Sequence, residues 1–248
     1  MHTINNFFDK IFVINLDARD DRWQTVTRTL KSFDIWKYER FDAYNGKLFQ
    51  DFVDPKIRVR RNGAYIGCLL SHLEIIRRAK AHDWKNVLIF EDDLNIHKNL
   101  LTLFDRAANE ILERSPDWDI WMLGQAGFNN YYTIETDDYS KRILDQTHHR
   151  KMISPAIQAW GMHAYAVNQK FYDVIIDNYN QGLQLELDVW LNQEIFNKGR
   201  NDYKCFVTNP QLFMQYLSDS DNENRPITLD WTINRSHSCP ADYIPNNF

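Results

Sequence analysis

Three consecutive acidic residues follow a short apolar run near the middle of the chain. The run Val87–Phe90 has the pattern of a central strand covered on both faces, and the acids that follow it are Glu91, Asp92 and Asp93. Grouped carboxylates are costly unless water surrounds them or a cation binds them. Because their oxygens are hard ligands, the cation indicated is Mg²⁺ or Mn²⁺ rather than zinc. The alternative for such a triplet is a solvated surface turn.

The position of the triplet favours the functional interpretation. In α/β proteins, ligands bind at the carboxyl ends of the strands, which is where these acids should emerge. A divalent cation at this point would act as a Lewis acid on a departing nucleoside diphosphate. A neighbouring acid could meanwhile hydrogen-bond the ribose, which would explain why several acids are grouped.

Strands and helices alternate along the chain. Apolar, β-rich runs predict strands at residues 10–16, 38–41, 87–90, 119–123 and 164–167. Helical spacing predicts helices up to residue 33, over 100–112, over 169–179 and over 189–196, and the Ser-x-x-Glu pattern from Ser71 predicts another helix that starts there. This alternation predicts an α/β fold, with helices flanking a mostly parallel central sheet.

Length, charge and cysteine content argue against several classes of protein. A chain of 248 residues suits one large domain, and a net charge of −5 argues against binding to nucleic acid. Three cysteines without C-x-x-C spacing indicate neither a disulfide framework nor a zinc knuckle, and they favour a reducing compartment. No apolar run is long enough for a secretory leader or a membrane span. The sequence therefore predicts a cytoplasmic protein, and peripheral membrane association stays open.

Three segments together resemble a known family. They are Phe12–Leu16 with Arg19 and Arg22, then Ile66–His72, then Val87–Asp93. In this order and spacing they resemble glycosyltransferase family 25, which includes bacterial lipopolysaccharide galactosyltransferases and collagen galactosyltransferases. The resemblance is strongest over residues 10–95 and continues more loosely through Asp42–Gly46, Trp160–Tyr165 and Leu187–Asp188. The chain has Ala64 and Tyr65 where family members commonly carry a Gly-Glu pair.

The resemblance implies a fold, a donor and a set of site residues. It implies a single GT-A-type domain over residues 1–248, with a nucleotide-sugar-binding half (1–125) and an acceptor-binding half (126–248). It also implies a UDP-sugar donor, Mn²⁺ dependence and inversion at the anomeric carbon. The residues assigned to the donor are Asn15, Leu16, Arg19, Arg22, Ala43, Ser71, Glu91, Asp92 and Gly161, and those assigned to the metal are Glu91, Asp93 and His237.

An inverting transfer also needs a general base, and Asp188 is the candidate. The acceptor hydroxyl must lose its proton to a carboxylate or histidine within hydrogen-bond reach. Asp188 lies among apolar residues that would raise its pKa, but it also precedes a predicted helix and could be its N-cap. His237 is a candidate because GT-A enzymes often supply a histidine ligand from near the C-terminus, although a lone histidine is more often structural or exposed. His72 is expected to pack at the start of its helix.

The function predicted is transfer of a hexose, galactose or glucose, from a UDP-sugar to a hydroxyl of a glycan, lipid-linked glycan or protein. One alternative is a sugar nucleotidyltransferase, which also uses a strand-end acidic motif and Mg²⁺. That class normally has a glycine-rich phosphate loop, and no such motif is present in the sequence. The other alternative is a non-catalytic protein of the same fold that binds a carbohydrate or a nucleotide sugar.

Overall fold

The computed structural model describes residues 1–49, 63–126, 151–182, 185–215 and 243–244. The helices are α1 (Ile4–Phe7), α2 (Asp20–Ser32), α3 (Gly63–Ala81), α4 (Leu100–Arg114), α5 (Tyr172–Asn180) and α6 (Leu187–Trp190). Two 3-10 turns, Gly46–Phe49 and Gln169–Phe171, and a π-helix, Leu191–Lys198, complete the helical segments of these ranges.

The strands of the described ranges form one mixed sheet. They are β1 (Lys10–Asn15), β2 (Glu39–Asp42), β3 (Asn86–Glu91), β4 (Leu94–His97), β5 (Ile120–Ala126), β6 (Ile153–Pro155), β7 (Trp160–Asn168), β8 (Cys205–Thr208), β9 (Phe213–Gln215) and β10 (Tyr243–Ile244). The main path runs β10-β4-β9-β5-β7-β3-β1-β2, and β8 joins β6 to β5.

Parallel pairings occur in two parts of this sheet, and an antiparallel strand lies between them. Strand β1 runs parallel to β2 and β3, and β5 runs parallel to β8 and β9. Strand β7 is antiparallel to both of its neighbours, β3 and β5. The predicted α/β fold is confirmed, and its architecture agrees with the GT-A type that the resemblance implies. Strands from both predicted halves share the sheet, and the division at residue 125 stays a prediction.

Apolar side chains cover both faces of the sheet, so the central strands are fully buried. In β1, Phe12 and Ile14 contribute to a core with helices α3 and α5. Their neighbours Ile11 and Val13 contribute to a second core with helices α2 and α4. This alternation is what a strand requires, because successive side chains point to opposite faces. We refer to these two sides as the α3 face and the α2 face.

Helix α3 begins at Gly63, so the prediction that it starts at Ser71 is wrong. The Ser71 hydroxyl does not cap the helix; it donates to the Gly67 carbonyl one turn earlier, at 2.7 Å. It also accepts a hydrogen bond from the Tyr44 backbone nitrogen, at 2.9 Å. A serine in a helix interior can make such a bond to residue i−4, so the Ser-x-x-Glu pattern at Ser71 does not mark the start of a helix.

Among the described helices, none is long and apolar enough to cross a membrane.

Gly67 lets helix α3 approach the loop that follows β2. A Cβ atom added there would overlap the Tyr44 carbonyl oxygen and lie 2.7 Å from the Gly46 nitrogen. Both neighbours are backbone atoms, which cannot move aside as a flexible side chain can. Glycine at this position therefore fixes the loop Ala43–Gly46 against α3, next to the end of β1.

We predict that Gly67→Ala destabilises the protein by about 1–3 kcal/mol, the usual range for overpacking a tight contact. Urea denaturation followed by circular dichroism measures this. Arg77→Ala is the control, because Arg77 lies on the exposed side of the same helix. Equal free energies of unfolding for the two variants would show that a methyl group at position 67 fits against the loop Ala43–Gly46 without cost.

Candidate active site

The three acids lie at the carboxyl end of β3, beside the end of β1. Ile14 of β1 pairs with Glu91, so Asn15 lies next to the acidic turn. Asp92 and Asp93 are only 9% and 8% exposed, which excludes the alternative of a solvated surface turn. The three side chains have different partners, and each partner comes from a different element.

Asp92 is held from the α2 face by two donors. Its Oδ2 accepts a hydrogen bond from Asn15 Nδ2 at 2.6 Å, and its Oδ1 accepts one from Arg22 Nη1 at 3.1 Å. Burial raises the pKa of Asp92, while the Arg22 charge and the two hydrogen bonds oppose the rise without cancelling it. Since both oxygens already accept hydrogen bonds, Asp92 joins β1, α2 and β3 at this edge of the sheet.

Glu91 turns to the α3 face and meets a buried histidine. Its Oε1 lies 3.3 Å from Nε2 of His72, whose Nδ1 lies 3.0 Å from the Tyr165 hydroxyl on β7. Burial raises the pKa of Glu91, but the contact with His72 and nearby positive charge outweigh it, so the net shift is downward. Burial also raises the pKa of Tyr165 well above its ordinary value, so the phenol keeps its proton. Glu91 is therefore ionised and points towards α3.

Asp93 has an oxygen with no hydrogen-bond partner. Its Oδ2 accepts from Gln215 Nε2 of β9 at 2.9 Å, while Oδ1 is buried with no hydrogen-bond partner in the described part of the chain. Burial raises the pKa of Asp93 to about 7, with further contributions from the charges of Glu91 and Asp92. A buried carboxylate oxygen of this kind, close to a second carboxylate, fits a hard divalent cation.

Asp188 lies in the first turn of α6, where two backbone groups hold its carboxyl group. Oδ2 accepts from the Gly161 nitrogen at 3.1 Å and Oδ1 from the Val189 nitrogen at 2.8 Å. Burial raises its pKa, and the negative charge of Glu91 adds to the rise, so the two carboxyls are within electrostatic reach. The N-cap of α6 is Glu186, so the alternative that Asp188 caps the helix is wrong.

A family comparison agrees with this geometry. The family model described as "Glycosyltransferase family 25 (LPS biosynthesis protein)" matches residues 8–191, from before β1 into the π-helix. The matched range covers most of the chain and contains all three acids and Asp188. The chain belongs to glycosyltransferase family 25.

Curated relatives of this glycosyltransferase family 25 member include catalytic and inactive proteins. Procollagen galactosyltransferase 2 of Mus musculus is 22% identical over 265 residues, covering 93% of this chain and 40% of that protein. Procollagen galactosyltransferase 1-A of Xenopus laevis is 28% identical over 131 residues, covering 48% and 21%. The inactive glycosyltransferase 25 family member 3 of Homo sapiens is 27% identical over 135 residues, covering 49% and 22%. The chain thus spans 40% or less of the length of these three relatives.

One solved structure also resembles the chain. It is a glycosyltransferase involved in the glycosylation of the major capsid of PBCV-1, with a TM-score of 0.45 and 9% sequence identity. The match covers 87% of this chain and 95% of that one.

The other residues predicted to contact the donor surround the end of β1. The Asn15 carbonyl accepts from the Ala43 nitrogen at 3.0 Å, and the Leu16 carbonyl accepts from the Arg19 nitrogen at 2.8 Å. The Oδ1 atom of Asn15 is buried with no hydrogen-bond partner among the described residues, so it can accept from a ligand. Arg19 instead forms a two-pronged ion pair with Asp21, both contacts at 3.0 Å.

For two further predicted donor residues, the structure gives a positioning contact. The Ser71 hydroxyl fixes the Tyr44 backbone, and Gly161, with a φ of 76°, directs its nitrogen at Asp188. Their contacts with a donor stay predictions. His237, predicted as a metal ligand, lies outside the described residues.

Sequence reasoning missed three side chains that hold the acids in place. His72 was expected at a helix start, but it lies inside α3 and faces Glu91. Tyr165 and Gln215 were not singled out, and they reach the site from β7 and β9. The only usable signal was the position of His72 within a predicted helix, because the sequence does not reveal which strand a helix packs against.

The raised pKa of Asp93 predicts a pH-dependent instability of the metal-free protein. The pKa rises from 3.8 to about 7 on folding, so between these values the folded protein holds a proton that the unfolded chain has released. Stability is therefore lost as pH rises through this window, and the loss is complete above pH 7. With EDTA present, we expect Asp93→Asn to raise the free energy of unfolding by roughly 1–3 kcal/mol at pH 8 and hardly at all near pH 4.

Urea titrations at both pH values measure this difference. Asp177→Asn makes the same chemical change at an exposed position on α5 and should have little effect at either pH. An Asp93→Asn variant that is less stable than wild type at pH 8 would contradict the burial of an uncompensated charge.

Proposed function

We propose that this chain is a metal-dependent, inverting hexosyltransferase that uses a UDP-sugar donor. The observation that carries the proposal is the buried Oδ1 of Asp93, which has no hydrogen-bond partner among the described residues and lies beside the ionised Glu91 at the carboxyl end of a central strand. Oxygen ligands of this kind suit Mn²⁺ or Mg²⁺. Glu91 and Asp93 would hold the cation, with His237 as a further ligand by family resemblance. When bound, the cation supplies positive charge against the diphosphate.

The end of β1 is suited to the nucleotide. Asn15 Oδ1 accepts no hydrogen bond from the described residues, and Ala43 is fixed beside Asn15 by a backbone hydrogen bond. Arg22 places positive charge at the same edge, where it already contacts Asp92. These groups would orient the nucleotide so that its diphosphate faces the acidic turn. Residues 1–125 would thus contribute most of the donor site.

Asp188 is the proposed general base, and it comes from the half assigned to the acceptor. Its two hydrogen bonds to backbone nitrogens fix the carboxyl group, and each oxygen keeps a further lone pair. In the reaction, the acceptor oxygen bonds to the anomeric carbon while the bond from that carbon to the UDP oxygen breaks. The hydroxyl proton passes to Asp188, and UDP leaves with the bonding electrons. A raised pKa makes this carboxylate a better proton acceptor.

The hexose and the acceptor are proposed from the names of relatives. Two curated relatives are procollagen galactosyltransferases, which favours galactose, with glucose as the second choice. The acceptor would be a hydroxyl of a glycan, a lipid-linked glycan or a protein. We further propose a reducing, cytoplasmic location, with peripheral membrane association if the acceptor is lipid-linked.

Release of UDP tests the reaction class. We expect UDP to be released from UDP-galactose or UDP-glucose with Mn²⁺, to stop when EDTA is added, and to be lost in Asp93→Asn. In EDTA at pH 8 the same variant should be at least as stable as wild type, and circular dichroism in the Mn²⁺ assay buffer checks that it is folded there. Titration of UDP with and without Mn²⁺ should show metal-dependent binding in wild type only.

Other outcomes of this assay identify the alternatives. Pyrophosphate formed from UTP and a hexose 1-phosphate would indicate a nucleotidyltransferase. Binding of UDP-sugars without any release, across a panel of nucleotide sugars and acceptors, would indicate a non-catalytic protein, which is what the name of the human relative describes. Release that persists in EDTA would remove the metal from the proposal.

The role of Asp188 has a separate test. Asp188→Asn should keep its affinity for UDP with Mn²⁺ but lower kcat by roughly 10²-fold or more, as expected for loss of a general base. The measurement is steady-state transfer to an acceptor identified in the panel. Asp177→Asn, on the exposed side of α5, should transfer at the wild-type rate. Full activity in Asp188→Asn would assign the base to another residue.

A further inference from the structure

A sulfur, a nitrogen and an oxygen ligand converge on the α3 face of the site. Cys68 and His72 are one turn apart on helix α3, and Glu91 reaches them from the end of β3. Each offers one ligand atom, and these three atoms lie within 4.8 Å of one another. This set differs from the oxygen ligands of Asp93 because it includes a thiol and an imidazole.

We propose that Cys68, His72 and Glu91 form a second metal site, selective for a zinc-like divalent transition metal. Thiolate and imidazole ligands favour such ions, whereas Mg²⁺ and Mn²⁺ favour carboxylate, carbonyl and water. Three protein ligands leave a fourth tetrahedral position for water or another group. The chemistry of the ligands therefore separates this site from the hard-cation site proposed for Glu91 and Asp93.

The spacing of the ligand atoms agrees with a tetrahedral ion. Two ligands about 2.0–2.1 Å from a tetrahedral zinc ion lie roughly 3.3–3.4 Å apart. The observed separation of His72 Nε2 and Glu91 Oε1 is 3.3 Å. The cysteine is one helical turn before the histidine, so both side chains lie on the same side of α3. All three ligand atoms lie within 4.8 Å of one another, so one ion can approach each of them.

Tyr165 supplies the contact that a metal-binding histidine needs on its other nitrogen. Ligand histidines usually give the second ring nitrogen to a hydrogen-bond partner, which fixes the tautomer and the ring orientation. Here Nδ1 of His72 lies 3.0 Å from the Tyr165 hydroxyl, and both side chains are almost completely buried. A hydroxyl can donate or accept a hydrogen bond. Tyr165 can therefore stay bonded to Nδ1 when the imidazole proton moves from Nε2 to Nδ1 and Nε2 becomes free to bind a metal.

The two proposed metal sites share Glu91, which gives the second site a regulatory consequence. An ion held by Cys68 and His72 would withdraw Glu91 from the cation that serves the donor. If the proposed function is correct, zinc should therefore inhibit transfer in competition with Mn²⁺. The metal-binding inference itself does not depend on catalysis, and its test is a binding measurement.

Cobalt(II) is the probe, because a cobalt–thiolate bond gives a charge-transfer absorption in the near ultraviolet. We expect one equivalent of Co²⁺ to produce this band in the intact protein with a non-thiol reductant, and Zn²⁺ to displace it. Cys68→Ser should abolish the band and weaken Zn²⁺ binding by roughly 10²-fold or more, since even an outer-shell partner contributes 10- to 100-fold.

Two variants serve as controls, and circular dichroism checks that each one folds. Cys205→Ser removes a buried thiol on β8 that is not among the three grouped ligands, and it should keep the band. Asp93→Asn damages the proposed hard-cation site and should also keep it, which separates this inference from the proposed function. The inference is overturned if wild type gives no thiolate band, or if the band survives in Cys68→Ser.

Alkylation gives a second measurement that needs no variant. Cys68 is half-buried, and peptide mapping after iodoacetamide treatment can follow its modification. We expect Zn²⁺ to slow alkylation of Cys68 at least tenfold, and Mg²⁺ at the same concentration to leave it unchanged. Equal rates with and without Zn²⁺ would overturn the proposal.

Discussion

Three carboxylates at the end of one buried strand must share a space that excludes most water. Each ionised group there loses solvation, and each raises the energy of the others. The protein compensates two of them internally: Arg22 and Asn15 contact Asp92, and His72 contacts Glu91. Among the described residues, the third acid, Asp93, accepts a hydrogen bond only from the neutral amide of Gln215, and the Arg22 charge acts on it without direct contact. The remaining negative potential is the property on which cation binding at this edge depends.

The fold distributes these contacts by strand geometry. Because successive side chains of a strand point in opposite directions, the acids at the end of β3 reach both sides of the sheet. Glu91 meets α3, while Asp92 meets α2, and the cores on the two faces fix those helices in place. Each acid is therefore oriented by contacts with different helices or strands. A displacement of α3 would change the position of the Glu91 carboxylate first, whereas a displacement of α2 would change the position of the Asp92 carboxylate.

The parts of this site that could be predicted from the sequence are those set by local pattern. The apolar runs of β1 and β3 predicted two buried neighbouring strands, because a buried strand must be apolar throughout, and the structure places the polar residues at their ends side by side. The start of α3 was predicted wrongly, since the Ser71 hydroxyl bonds to Gly67 and Tyr44 instead of capping a helix. Partners such as Gln215, 122 residues from Asp93, depend on long-range strand pairing that no local pattern records.

The different environments of the three acids affect how such a motif should be interpreted in related proteins. Asp92 uses both oxygens to join three elements, so its loss would disturb the architecture whether or not the protein is catalytic. The presence of that central acid alone is therefore not evidence of catalysis. The Oδ1 atom of Asp93 accepts no hydrogen bond from the described residues, and keeping a buried charge there without a ligand costs stability. A carboxylate at position 93 is thus better evidence for cation binding than the presence of the acidic triplet as a whole.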